Sequence, residues 1–216
     1  MRLRKKPWIE VAMADVRGKT LFDSGLDEFK GQWHKIFPGK KICVEIGCGK
    51  GKFVMGMAKL HPERGFVAVE SQHDIAFYPA RDAMEAKLDN IKVILGNAEG
   101  LLEWFSEGEI EELYLNFSDP WPKARHAKRR LTNRKFLHLY AKLLAKGAKL
   151  RFKTDNKDLF EFTLEEIEAV GAKIHTLTRD LHHSTVPNEV QTEYEEKFSS
   201  RGNKIYFVEI SFDQVK

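Results

Sequence analysis

The sequence predicts an open, mostly parallel α/β sheet with helices on both faces. Short apolar runs of strand type alternate with amphipathic helical runs along most of the chain. The first strand runs into a glycine turn, Gly47-Cys48-Gly49-Lys50-Gly51, that opens a helix. The second strand ends in an acid, Glu70, about twenty residues beyond that turn, a spacing suited to the two hydroxyls of a ribose.

Residues 1–26 show little periodicity. Arg2, Arg4, Lys5 and Lys6 precede Pro7-Trp8, and the stretch reads as a mobile basic arm before a single domain of residues 27–216. A helix is expected over 27–37, with Phe29, Trp33, Ile36 and Phe37 at helical spacing and Pro38 as its stop. Residues 41–46 form the first strand, with Ile42, Val44 and Ile46 alternating with Cys43 and Glu45. The helix after the glycine turn covers 52–60. The second strand covers 65–70, and a helix follows over 75–88 despite Pro79. The third strand, 91–95, ends in Gly96-Asn97-Ala98-Glu99, where Asn97 or Glu99 can meet an adenine edge.

A fourth strand at 112–117 leads to a helix over 131–146 with Gly147 as its C-cap. The fifth strand is 148–154, followed by a helix over 159–170 and a sixth strand at 172–178. Residues 181–190 form a polar loop in which His182 and His183 read as a solvated pair. Residues 192–198 begin a helix or tight turn, and 205–212 closes the sheet, making a hairpin-like last pair. Ligands of such sheets bind beyond the carboxyl ends of the strands, where Glu45, Gly47, Glu70, Asn97, Asp119 and Asp155 all fall.

The chain has 216 residues, enough for one sizeable core. Hydrophobic residues make up 42% and charged residues 31%, which excludes a disordered chain. Net charge is only +4, yet Lys123 to Lys135 holds seven Lys or Arg and no Asp or Glu. Segregated basic patches on a nearly balanced chain fit an anionic polymer. Cys43 and Cys48 lack zinc-type spacing and read as unpaired thiols in a reducing compartment. No apolar run approaches the roughly 20 residues of a membrane span, and the basic N-terminus has no following apolar stretch. A cytoplasmic protein without membrane or metal is expected, as monomer or homodimer.

The most informative stretch is Asn116-Phe117-Ser118-Asp119-Pro120-Trp121-Pro122 and the basic run after it. A carboxylate, an indole and a run of cations in that order point to a held base and a clamped phosphate backbone. Trp121 either stacks on a base or packs beneath the loop.

These residues carry a resemblance. The run Tyr114 to Lys123, with Arg125-His126 and Lys128 to Thr132, is similar to the bacterial tRNA (guanine-N7-)-methyltransferases. So are Phe152 to Asn156, Thr192 to Phe198 and the start Met1 to Trp8. The resemblance implies a class I methyltransferase fold, Rossmann-like, with a seven-stranded sheet and one late antiparallel strand. It implies S-adenosylmethionine as methyl donor, held by Glu45, Gly47, Gly49, Glu70, Asn97 and Asp119, with Asp119 catalytic. Lys123, Asp155, Thr192, Glu193, Tyr194 and Glu195 would contact the guanosine. Arg125, His126, Ala127, Lys128, Arg129 and Arg130 would contact the tRNA, and the product would be 7-methylguanosine in the variable loop. Asn97 stands where the family commonly has an acid, and Ser71-Gln72-His73-Asp74 is an unusual sequel to Glu70.

Guanine N7 already carries a lone pair on the major-groove edge and needs no deprotonation. The lack of a nucleophilic Cys or a Ser/His/Asp set is therefore expected. Asp119 and Asp155 are the acids able to accept from guanine N1–H or its 2-amino group. An amino-group methyltransferase is the second reading, since Asp119-Pro120-Trp121 loosely resembles the acid-Pro-Pro-aromatic loop of those enzymes. A non-catalytic RNA-binding protein is the third. A dehydrogenase fits less well, because its turn is G-x-G-x-x-G and Gly51 here is followed by Lys52 and Phe53.

Overall fold

In the computed structural model, which describes residues 7–213, the described residues begin with a helix where the sequence shows little periodicity. This helix, α1 (Pro7–Val16), turns Ile9, Met13 and Val16 fully inward. Their spacing is one helical face. Trp8 and Val11 are apolar too but exposed, which flattens the contrast between faces and hides the period. The expected arm is therefore corrected: only residues 1–6 remain for it, and they lie outside the described residues.

A two-residue strand, β1 (Leu21–Phe22), follows and pairs in parallel with Val93 and Ile94. It is too short to leave a periodic signal. The helix expected over 27–37 is broken. A 3-10 turn at Leu26–Phe29 and a short α2 (Trp33–Ile36) flank Gly31, whose φ of 72° is left-handed and interrupts the α ladder. Trp33 and Phe37 are nevertheless buried and stacked, with centroids 6.1 Å apart.

β2 (Lys41–Ile46) and α3 (Lys52–Leu60) have the expected bounds. β3 (Arg64–Glu70) and α4 (His73–Glu85) come next, then β4 (Ile91–Leu95) and a one-turn α5 (Leu101–Trp104) that the sequence did not reveal. α4 stops short of residue 88 because Lys87 turns to a φ of 53° and Leu88 N–H donates back to the Ala83 carbonyl. In this first compact unit, which ends at Trp104, the strand order is β1-β4-β3-β2 and every pairing is parallel. α3 packs on β3, and α4 on β3 and β4.

The second unit, from Phe105, holds β5 (Ile110–Asn116), a 3-10 turn at Ala124–Arg129, α6 (Arg134–Leu143) and β6 (Leu144–Thr154). It continues with α7 (Lys157–Val170), β7 (Lys173–Thr178), a 3-10 turn at Leu181–His183, α8 (Glu193–Ser199) and β8 (Tyr206–Ser211). α6 is shorter than expected. Asn133 caps its start by accepting from Lys135 N–H, and Leu144 turns extended at its end. Gly147 is therefore not a helix C-cap but lies within β6, where its N–H donates to Asp213 Oδ1 at 2.7 Å.

The order here is β5-β6-β8-β7, with β5 parallel to β6 and β8 antiparallel to both its neighbours. The late antiparallel strand is thus β8. Eight strands form among the described residues where seven were expected, the addition being β1. Among the described residues no helix is long and apolar enough to cross a membrane, and both cysteines are buried free thiols.

Candidate active site

In the first unit the parallel strands bring their carboxyl ends to one edge, where such sheets bind ligands. Glu45 is buried near the end of β2, Glu70 is buried at the end of β3, and Asn97 is exposed just past β4. Gly47 and Gly49 take φ of 77° and 58°, and a Cβ on either would meet no atom within 4 Å. The turn therefore borders open space. Gly49 N–H donates to Glu70 Oε2 at 3.0 Å, and Gln72 N–H donates to Oε1 at 2.8 Å. The carboxylate is fixed on both sides and keeps lone pairs to accept more.

Two fixed acceptors beside an open glycine turn fit a ribose diol. Cys48, buried in the same turn, is no competing nucleophile: burial, then the charges of Glu45 and Glu70, push its thiol pKa well above the usual value. Asn97 Oδ1 accepts from Glu99 N–H at 2.9 Å, which leaves the amide NH2 to donate. A cavity of about 630 Å³ elsewhere in this unit, lined by Asp23, Asp27, Lys30 and Trp104 among others, contains none of the expected site residues.

In the second unit β5 delivers the residue 117–122 loop. Phe117 and Trp121 sit at φ of 53° and 41°, which bulky side chains rarely adopt and which costs of order 1–3 kcal/mol each. Phe117 is held there by packing on Leu181, Ile205 and Phe207, by stacking on Tyr194 at 6.3 Å, and by its N–H bond to the Lys153 carbonyl at 2.8 Å. Asp119 is exposed. Trp121 is half-buried, with the Arg129 guanidinium 4.9 Å from its ring centre and His126 edge-on at 5.6 Å. Of the six residues expected to meet RNA, Arg125, Lys128 and Arg129 are exposed, while His126 and Ala127 are half-buried. Arg130 is half-buried too and donates to the Pro120 and Trp121 carbonyls at 3.0 and 3.1 Å.

The expected guanosine contacts also lie in this unit. Lys123 is exposed just before the 3-10 turn, and Asp155 is half-buried between β6 and α7. Thr192 caps α8, its Oγ1 accepting from Glu195 N–H at 2.9 Å, and Glu193 and Tyr194 are exposed. Glu195 differs from them. It is fully buried, its carboxylate 2.8 Å from Lys153 Nζ and 3.1 Å from His182 Nε2, and Asn188 donates to it as well. Its oxygens face inward, because Lys153 is itself only 5% exposed and needs a counter-charge.

The sequence reading missed Lys153, Asn188 and His182. His183 is solvated as expected, but His182 turns in to Glu195. Lys153 was detectable in principle: it lies between Phe152 and Thr154 in a strand buried on both faces, and a lysine there requires an acid from elsewhere. Among the described residues no group of three or more His, Cys, Asp or Glu side chains is placed to hold a metal ion.

A family model described as "Putative methyltransferase" matches residues 39–208. A tRNA (guanine-N(7)-)-methyltransferase of Listeria monocytogenes is 40% identical over 215 residues, covering 99% of this chain and 100% of its own. One from Geobacillus thermodenitrificans is 42% identical over 207 residues, covering 95% of each chain. Solved structures match at lower identity. The 16S rRNA methyltransferase KamB superposes with a TM-score of 0.64 at 15% identity, over 84% of this chain and 93% of that one. An antibiotic-related methyltransferase gives 0.64 at 17% identity, over 88% and 94%. At such identities these structures establish the fold alone, the Rossmann-like class I methyltransferase fold. With relatives this similar over nearly their whole length, the chain belongs to the tRNA (guanine-N(7)-)-methyltransferase family.

Proposed function

We propose that the protein transfers a methyl group from S-adenosylmethionine to N7 of a guanosine in the variable loop of tRNA, giving 7-methylguanosine. The observation that carries this is the likeness, at 40% and 42% identity over 99% and 95% of the chain, to curated tRNA (guanine-N(7)-)-methyltransferases. The family model spanning 39–208 supports reading both units as one methyltransferase domain.

The donor, when bound, supplies an electrophilic methyl on a sulfonium. Glu70, fixed by Gly49 and Gln72, is the acceptor for the ribose hydroxyls. Glu45, Gly47, Gly49 and Asn97 complete the donor side, and Asp119 is the catalytic acid. N7 needs no base, so the chain's task is to align and to complement charge. Alignment of two reactants can supply about 7–11 kcal/mol. Positive charge grows on the purine as the methyl arrives, and carboxylates aimed at it lower the barrier. Asp119 and Asp155 are the acids for that role and for guanine N1–H or the 2-amino group. Lys123, Thr192, Glu193 and Tyr194 meet the guanosine, and Glu195 secures their segment from inside. Arg125, Lys128 and Arg129 take tRNA phosphates. The enzyme would work in the cytoplasm, as monomer or homodimer.

The test is incubation with labelled S-adenosylmethionine and bulk tRNA, followed by nucleoside digestion and mass spectrometry. Label in 7-methylguanosine is expected. Label on an exocyclic amino group, or none in tRNA, would overturn the reading.

A further inference from the structure

We propose that Arg130 is a positioning residue for methyl transfer, fixing the 119–121 loop, and not one of the phosphate contacts of the basic run in which it lies; this rests on the tRNA-methylation reading above. Residues 119–122 include two prolines, so only Asp119 and Trp121 bring an N–H to this loop. Such a stretch cannot hold its shape by its own backbone hydrogen bonds, and Trp121 is at a φ of 41°. The missing donors come from Arg130. Its Nε bonds the Pro120 carbonyl and its Nη2 bonds the Trp121 carbonyl, two consecutive acceptors from one planar group.

The guanidinium is also 4.3 Å from the centre of the Phe162 ring on α7, which holds its plane. The backbone that carries it is anchored by Arg130 N–H to the Ala127 carbonyl at 3.1 Å and by Asn133 N–H to the Arg130 carbonyl at 2.9 Å. Arg130 is half-buried, whereas Lys128 and Arg129 beside it are exposed. Two of its donors, Nε and Nη2, are thus committed to the loop. Lysine cannot replace it, because a point ammonium has neither the fork nor the stacking plane.

The experiment compares Arg130→Lys, Arg130→Ala and Lys128→Ala with the wild type. It reads kcat and KM for tRNA and the slope of log tRNA affinity against log salt. Arg130→Lys should lower kcat roughly 10- to 100-fold, as expected for a displacement of about 1 Å at reacting groups, with a wild-type salt slope. Added ethylguanidinium should restore part of the lost kcat of Arg130→Ala and none of that of Arg130→Lys. Lys128→Ala should instead flatten the salt slope by about 0.7–0.9 and raise KM. A wild-type kcat in Arg130→Lys, or a slope flattened as in Lys128→Ala, would overturn the assignment. Failure of the wild type to methylate tRNA would count against the proposed function instead, and a binding salt slope flattened in Arg130→Lys would then still refute the loop assignment.

Discussion

Replacing Lys153 by methionine should destabilise the protein by about 3–5 kcal/mol, the usual cost of leaving one member of a buried ion pair without the other. Lys153 Nζ lies 2.8 Å from Glu195 Oε2, with side-chain exposures of 6% and 0%, so water cannot step in for the lost ammonium. His182 and Asn188 still touch the carboxylate, but neither replaces the ammonium that Lys153 holds against it. For a chain of this size each kcal/mol moves the melting temperature by about 2–4 °C, so the loss should appear as a fall of about 6–20 °C. Urea unfolding followed by tryptophan fluorescence gives the same quantity at fixed temperature. The double variant Lys153→Met with Glu195→Leu removes both charges and should recover most of the loss. It should not recover tRNA affinity, because Glu195 ties the first turn of α8 to β6. A Lys153→Met variant within about 1 kcal/mol of the wild type would refute the reasoning, since the pair would then be solvated in practice.

Glu70→Ala should weaken S-adenosylmethionine binding by about 1.5–3 kcal/mol, the worth of hydrogen bonds to a charged group; unchanged affinity in titration calorimetry would sink the ribose assignment. Asp119→Ala should cut turnover far more than it changes melting, because the residue is exposed; near-normal turnover would make Asp119 structural. The hydrogen bond from the Arg134 side chain, ahead of its backbone N–H, holds the Glu166 carboxyl below the usual carboxylate range. A depressed carboxyl contributes stability that is present above the unfolded pKa, about 4.3, and is lost as pH falls through the folded value. Glu166→Gln should therefore be less stable than the wild type at pH 7, and the gap should close in acid; a gap independent of pH would remove Glu166 as its source.

Local patterns made much of the fold legible. β2, α3 and β4 form at the residues their periodicity and glycine turn indicate, because a strand buried in a parallel sheet and the helix after it both write their burial into consecutive residues. Where a few residues acted together the pattern failed. α1 hid its inward face behind Trp8 and Val11, and Gly31 divided a helix that the aromatics alone made continuous. α6 ended at Leu143, where Leu144 turns extended and pairs with Ile110, and Gly147 fell inside a strand at an irregularity between the Leu144 and Lys149 pairings.

The sequence by itself determined the alternation of strands and helices from β2 onward, the one-turn α5 apart, the open turn at Gly47 and Gly49 with Glu70 after it, and the stiff exit from β5 through Asp119, Pro120 and Pro122. These follow from spacing, chirality and the lack of an N–H on proline, all properties of neighbouring residues. Tertiary structure alone decided which of several like-charged side chains face inward. Arg130 reads the same as Lys128 in the chain, and Glu195 the same as Glu193. Arg130 turns in because Phe162 and two carbonyls meet it there, and Glu195 because Lys153, 42 residues earlier, is buried opposite it. A charge goes where its partner is, and the partner's place is set by the folding of the whole unit.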